Sequence, residues 1–514
     1  MKRDVIVIGG GCAGIVAALE ARKAGAKVVI VDRGPIAMGT NSALSGGIFA
    51  GPTSRYGVEE YIQDTLKAGK GLNDKALVEL MAEEAPSAFS FLRSLGIELI
   101  ESSRDQRVKS SRPDIIPGVT LMRKLQERAK ETEGVELLSG VYVTEILKRE
   151  GKVCGVAGFG MEGEDVLIYA PAVVLATGGA GAIYLRSDNQ KKAMGQGYYL
   201  AAKAGLELLG MEFVQFYPLA IAEPGLPPML LFGPYPKEGR LINHTGEDLL
   251  KKYGVDDLYG FLSEGRDTFS AILFRESLNG PVYMDYREVP STMWERYPFP
   301  LLKKLKFDFG KRPFRVSPVA HFFMGGVRID KTAQTSVPGL FACGEVVSGL
   351  HGANRMRGNA LTECVVFGRI AGRHAAHYAL SHPLYLSDQE RPKVFLYGTS
   401  SVKKKLRQIT QLVKDIAWKY AGVVRSEEGL RKGLDRLKDL EEELELIVPS
   451  TKNERKRRED LLSAVFVLKG IFLTSLQRQE TRGAFIREDF SLENDHLSKN
   501  SSFVYEEGSI RLTN

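Results

Sequence analysis

Two residues carry most of the chemistry in this chain. His321 stands just ahead of a Met-Gly-Gly turn (Met324–Gly326), and Arg355 closes a His-Gly-Ala-Asn-Arg loop. An imidazole exchanges protons near neutral pH, and a guanidinium grips a carboxylate through two parallel N–H bonds. The block from Pro318 to Gly372 around them is rich in glycine, which lets backbone approach a ligand where a Cβ would clash. The combination points to an anionic small molecule held beside something flat. His351, in the same block, reads as a structural contact on the ligand side.

Such a pair needs a scaffold, and its other half lies at the N-terminus. Val5–Ile8 is a short apolar strand, Gly9, Gly11 and Gly14 form G-x-G-x-x-G, Ile15–Ala24 reads as a helix, and a second strand ends at Asp32. This is the dinucleotide fingerprint in its strand–turn–helix–strand context. The first glycine makes the turn, the second admits a pyrophosphate, the third lets helix and strand pack closely, and the helix N-terminus offers amides to phosphate. Asp32 would accept from ribose hydroxyls. The loop Gly39–Gly47, all small residues, glycine and one leucine, offers further amides and hydroxyls.

At 514 residues the chain has room for two to four domains. Its net charge of +7 is modest and mostly dispersed. The clusters at Lys403–Lys405 and Arg455–Arg458 read as solvated helix faces, not as a nucleic-acid surface. Four scattered cysteines, none in C-x-x-C spacing, exclude a self-contained iron–sulfur or dithiol motif of the usual kind and suit free thiols in a reducing compartment. The apolar start reads as a nucleotide-binding strand, not a cleaved leader. Leu461–Leu476 is apolar but short and holds Lys469, so a buried helix is expected in place of a membrane span. A cytoplasmic protein, peripheral to a membrane only through a partner, is the expectation.

Helices are expected at Val58–Lys67 and Lys75–Leu95, strands at Val135–Leu147, Lys152–Phe159 and Tyr169–Gly179. From Glu212 to Lys311 prolines and aromatics become dense, which suggests an inserted domain. From Pro392 the chain is helical and charged, with a stripe at Leu430, Leu434, Leu437, Leu440 and Leu444 that should pack in a small bundle.

The motifs, in order, resemble the flavoprotein family of succinate dehydrogenase, fumarate reductase and L-aspartate oxidase. The resemblance rests on VIVIGGGCAG, NSALSGG, VVLATGGAGAIY, MEFVQFYP, GRLINHTGE, PVAHFFMGG, SVPGLFACGEV, HGANR and TRGAFIRED. It implies an α/β fold: a Rossmann-like FAD domain (1–211 and 318–391), an inserted α+β capping domain (212–317) and a C-terminal helical domain (392–514). It also implies cofactor contacts from Gly9, Gly11, Cys12, Ala13, Gly14, Asp32 and Arg33. Thr40, Asn41, Ser42, Gly46, Gly47 and Val143 would follow the phosphate–flavin path with Ala176, Thr177 and Gly178. Gly344 and Glu345 would face the ribitol, and Asn359, Ala360 and Leu361 the flavin edge. Members with covalent FAD carry a histidine where this chain has Thr40, so the FAD is expected to be non-covalent. Gln196 stands where the family usually has an acid.

In the family, two histidines and two arginines clamp a dicarboxylate. His321 and Arg355 match. Tyr217 replaces the second histidine and reads either as a core aromatic or as a site phenol. Ala271 occupies the position where the family has a proton-delivering arginine in Arg266-Asp-Thr-Phe-Ser-Ala271; Arg275, one turn on, is a candidate catalytic substitute on the same face, although it reads more readily as a surface or salt-bridged helix residue. Efficient succinate–fumarate chemistry is therefore not expected, and a monocarboxylate, thioester or larger substrate would fit better. The readings left open are hydride transfer with a small carboxylate, amine oxidation of the L-aspartate oxidase kind, and an electron-transfer subunit. No second nucleotide motif is visible, so an external partner, an iron–sulfur protein by resemblance, would exchange electrons.

Overall fold

The computed structural model describes residues 1–112, 114–233, 235–295, 298–384 and 395–513. Its centre is a five-stranded parallel sheet in the order Leu340–Ala342, Ala172–Leu175, Val5–Ile8, Val28–Asp32, Val135–Ser139. The three central strands are buried along their length and apolar save for Asp32; the helices Cys12–Lys23 and Asn359–Ser381 pack against them, and the antiparallel strand Lys152–Phe159 also meets the sheet. The fingerprint helix Cys12–Lys23 lies against the long helix Asn359–Ser381. They meet so closely that a Cβ at Gly372 would stand 2.1 Å from the Ala17 carbonyl oxygen. Glycine there is a packing requirement.

The segment 135–147 is two strands, not one. The first ends at Ser139, Gly140 turns the chain at φ +85°, and Tyr142–Arg149 enters an antiparallel sheet with Lys152–Phe159 and Asp165–Tyr169. The expected helices at 58 and 75 run Val58–Ala68 and Lys75–Ser94.

The region dense in prolines has its own core. Strands Val214–Ile221, Phe314–Phe323, Val282–Asp285 and Arg240–Ile242 form an antiparallel sheet over Leu219, Leu241, Phe269, Leu273 and Phe314. The anticipated boundary at 317–318 falls inside the strand Phe314–Phe323, which delivers His321 from the cap towards the parallel sheet. The boundary at 391–392 lies outside the described residues.

Three helices follow, Lys403–Tyr420, Glu427–Glu445 and Lys452–Gln477. Leu430, Leu437, Leu440 and Leu444 are buried in the bundle, with Leu434 at its margin. The apolar stretch 461–476 lies within the third helix, and no described helix is long and apolar enough to cross a membrane. The chain does not end as helix. Ser502–Glu506 and Ser509–Leu512 form a hairpin whose first strand pairs with Leu208–Leu209. Glu507 and Gly508 both have positive φ, the geometry of a tight hairpin turn.

A buried ionic chain fastens these parts. Glu212 accepts from Arg478 (2.8 Å), Glu480 accepts from Arg478 (2.5 Å) and from Arg482 (3.0 Å), and all four side chains are at most 5% exposed. A second tie joins the bundle to the parallel sheet. Arg33 forms a bidentate pair with Asp460, Tyr142 donates to Asp460 at 2.9 Å, and Lys456 donates to the Arg33 carbonyl at 2.8 Å.

Candidate active site

The glycine turn opens into a long cleft. Gly9, Gly11, Cys12, Ala13, Asp32, Arg33, Thr40, Asn41, Ser42, Val143, Ala176, Thr177, Gly178, Gln196, Gly344 and Glu345 all line it. Gly14 does not; a Cβ there would stand 1.9 Å from the Gly9 carbonyl oxygen, so its task is close packing of the turn. Ser42 Oγ accepts from the Cys12 amide (3.1 Å) and Asn41 bridges to Asn189 and Gln190, which fixes the loop over the helix N-terminus. Thr40 donates to the Ala37 carbonyl (2.6 Å). Gln196 donates to the Val143 carbonyl at 2.6 Å, where a carboxylate would face an oxygen.

Asp32 accepts from the amides of Gly10 and Gly34 and from Lys192 Nζ at 2.7 Å. Lys192 also lines the cleft, though no motif marks it in the sequence, where it stands in an unremarkable QKK run. Arg33 lines the cleft and pairs its two terminal nitrogens with Asp460, while its Nε has no partner. Gly46, Gly47, Asn359, Ala360 and Leu361 lie outside the cleft lining. Gly47 packs where a Cβ would meet Pro117 at 2.7 Å, and its carbonyl pairs with Val108. Asn359 is fully buried, accepting from Tyr61 and donating to Thr65; Ala360 and Leu361 contribute first-turn amides of the helix that begins there.

Beyond the flavin end of the cleft stands a second group of residues. Arg355 is buried, donates to Gln215 at 2.8 Å and lies over the Phe322 ring at 4.5 Å. Burial and the neighbouring Arg266 charge pull it down to about 9, still a cation at neutral pH. Arg266 donates to the Arg355 carbonyl at 2.9 Å. Both Nε atoms are buried without a partner. His321 holds Asp188 through Nδ1 at 2.7 Å, which orients the ring and leaves Nε2 for a ligand. The Tyr217 ring lies 5.8 Å from the His321 ring.

The matches to known proteins agree with this architecture. A model of the FAD binding domain matches residues 4–361, and one of the fumarate reductase flavoprotein C-terminal region matches residues 410–513. The chain is 32% identical to a fumarate reductase (CoM/CoB) subunit of Methanothermobacter marburgensis, over 95% of this chain and 94% of that one. It is also 32% identical to the L-aspartate oxidase of Streptomyces coelicolor, over 96% and 89%. An E. coli quinol fumarate reductase FrdA structure superposes with a TM-score of 0.87 at 26% identity, covering 100% of this chain and 96% of that one.

The chain belongs to the succinate dehydrogenase, fumarate reductase and L-aspartate oxidase flavoprotein family. It is an FAD-dependent oxidoreductase. The cleft of this flavoprotein fits FAD: the glycine turn leaves room for a diphosphate, and Thr177 Oγ1, buried and unpartnered, is a hydroxyl waiting for an acceptor or donor.

The flavoprotein corrects one sequence expectation at its substrate wall. Arg275 is exposed on the helix Arg266–Asn279, and Ala271 is buried in the main core, so neither faces the site. The arginine delivered there is Arg266, at the start of the same helix. The sequence signal was present in the Arg-Asp pair itself: Asp267 accepts from Asn354 at 2.5 Å, which ties the helix to the Arg355 loop.

Glu345 gives the apoprotein a pH dependence. It accepts from the Phe323 amide at 3.1 Å, and burial raises its carboxyl to about 7. Because the folded value lies above the unfolded one, ionisation costs the folded state. The penalty is absent below about pH 4.5, grows through 7 and is complete above it, reaching at most about 3 kcal/mol. Urea unfolding of the apoprotein at pH 5 and pH 8 should reveal this loss in the native sequence and a smaller one in Glu345→Gln.

Proposed function

We propose that this flavoprotein exchanges a hydride equivalent between its FAD and a small carboxylate clamped by Arg355 and Arg266 under His321. One observation carries the reading: two arginines, Arg355 buried and Arg266 half-buried and donating to the Arg355 carbonyl, each keep a buried Nε–H without a partner. A buried donor left unpaired is costly, and a carboxylate is the group that would satisfy both. Bound FAD would supply the hydride-transferring centre. The chain's residues would do the rest. Arg355 and Arg266 bind and orient the carboxylate, His321 Nε2 hydrogen-bonds the ligand, and Asp188 fixes the imidazole. Asp267 stands beside Arg266 and accepts from Asn354, which holds the helix start against the Arg355 loop; burial raises its carboxyl. Arg266 is the second cation, so the alanine at 271 does not leave the clamp one cation short.

The FAD is held without a covalent bond in this reading, since Thr40 offers no imidazole and its hydroxyl is occupied. The electron partner we favour is an iron–sulfur protein, as the family resemblance implies; a relative named as one subunit of a fumarate reductase supports a partner chain of some kind. Acid precipitation should release the yellow chromophore into the supernatant, and colour left on the polypeptide would refute non-covalent binding. Anaerobic titration of the reduced and oxidised protein with carboxylates, amino acids and acyl thioesters tests the reaction. Reoxidation or bleaching by a carboxylate is expected; exclusive response to amines or thioesters would overturn it.

A further inference from the structure

The cationic end of the site has an opposite wall of another character. Tyr217 sits on the strand Val214–Ile221, paired with Val319 of the strand that carries His321. Its hydroxyl donates to the Leu231 carbonyl at 3.0 Å, and Tyr235 donates to the same oxygen at 2.8 Å, with the two hydroxyls 3.3 Å apart. Both phenol protons are thus spent on one carbonyl, and what the pair presents is rings and oxygen lone pairs. The Phe232 ring packs edge-on against Tyr217 at 5.8 Å, and Ala220, Leu230 and Val319 close an apolar cluster behind them. Burial keeps both phenols neutral at physiological pH.

A second carboxylate placed at this wall would meet lone pairs and aromatic carbon, and neither phenol has a proton left to replace its water. An apolar or aromatic substituent would meet matching surface, and aromatic rings pack edge-on there without rearrangement. The exposed Arg357 lies close enough for its charge to act on both phenols, as Arg266 also does on Tyr217, so Arg357 is a cation outside the clamp that a longer diacid could reach from this side.

We propose that the substrate couple is a 2-enoic monocarboxylate and its saturated acid, with the single carboxylate on Arg355 and Arg266 and an apolar or aromatic C3 substituent against Tyr217, Phe232 and Tyr235. The inference rests on the hydride-transfer reading above. In the reducing direction the C2–C3 π bond is lost, a hydride equivalent adds at C3 and a proton adds at C2, balanced by the two-electron oxidation of the reduced cofactor.

Ligand binding separates this specificity from turnover. The oxidised holoprotein is titrated with crotonate, trans-cinnamate, fumarate and trans,trans-muconate, and dissociation constants are read from the perturbed flavin spectrum. Crotonate and cinnamate should bind at least about tenfold more tightly than fumarate, with muconate no tighter than crotonate. Tyr217→His, which restores a donor at the wall, should shrink that ratio by about tenfold; Tyr217→Phe, which keeps the ring, should preserve it. Should Tyr217→His fail to retain FAD, the native and Tyr217→Phe proteins still decide. Fumarate binding more tightly than the monocarboxylates overturns the proposal, as does the absence of any monocarboxylate signal. Tighter muconate also overturns it and assigns the wall to Arg357. The expected binding order without reoxidation of the reduced protein by any enoate would leave the specificity standing and sink the hydride-transfer reading.

Discussion

Arg355→Lys should abolish most turnover while leaving FAD in place. The guanidinium is buried, spends one nitrogen on Gln215, lies flat over Phe322 and keeps its Nε free. Lysine keeps the charge but loses the planar fork, the stacking and the donor at the Nε position. A missing donor in a water-poor site costs about 10²–10³ in rate. Because the residue lies outside the cleft that holds the dinucleotide, the visible spectrum and FAD content should be unchanged. Stopped-flow reoxidation of the reduced protein, fitted for kcat and KM separately, checks it. A fall below tenfold would mean that the carboxylate is gripped elsewhere, and loss of FAD would mean that Arg355 is structural.

Glu480→Ala should be among the most destabilising single changes in the protein. Glu480 is fully buried and takes hydrogen bonds from Arg478, Arg482 and the Asn494 amide. Removing it leaves two buried guanidiniums facing a cavity, which costs about 3–5 kcal/mol. The exposed pair Arg511–Glu506 provides the contrast. Glu506→Ala should cost about 1 kcal/mol or less, since solvent already screens that pair. Urea titration of the holoprotein distinguishes the two. Equal effects would show that the buried chain contributes no more than a surface pair.

The parts of the fold with a strong local pattern were legible in the sequence. The glycine turn, its strands and the leucine stripe of the bundle follow from periodicity and sterics, and the structure builds them at those residues. Gly140, which splits 135–147, was a lone glycine in an apolar run, and only its positive φ reveals the turn. The closing hairpin escaped because its strands are short and half-exposed, although Glu507-Gly508 is a turn signal. At the site, His321 and Arg355 stand out because glycines surround them. Arg266 is marked only by its Arg-Asp pair, and the family pattern points past it to position 271 and, one turn on, to Arg275. Lys192 and Asp460 act on the cleft from segments with no motif at all.

The tie between Arg33 and Asp460 joins the adenosine end of the cleft to the third bundle helix, and Lys456 and Tyr142 reinforce it. The residue beside Asp32 is thus shared between the parallel sheet and the helical bundle. Whatever steadies Asp32 and Arg33 from the cleft side must steady the bundle from the other, and by reciprocity the bundle must repay the same free energy in cofactor affinity. Dissociation of the dinucleotide and undocking of the C-terminal helices are therefore coupled equilibria, and the holoprotein resists both together.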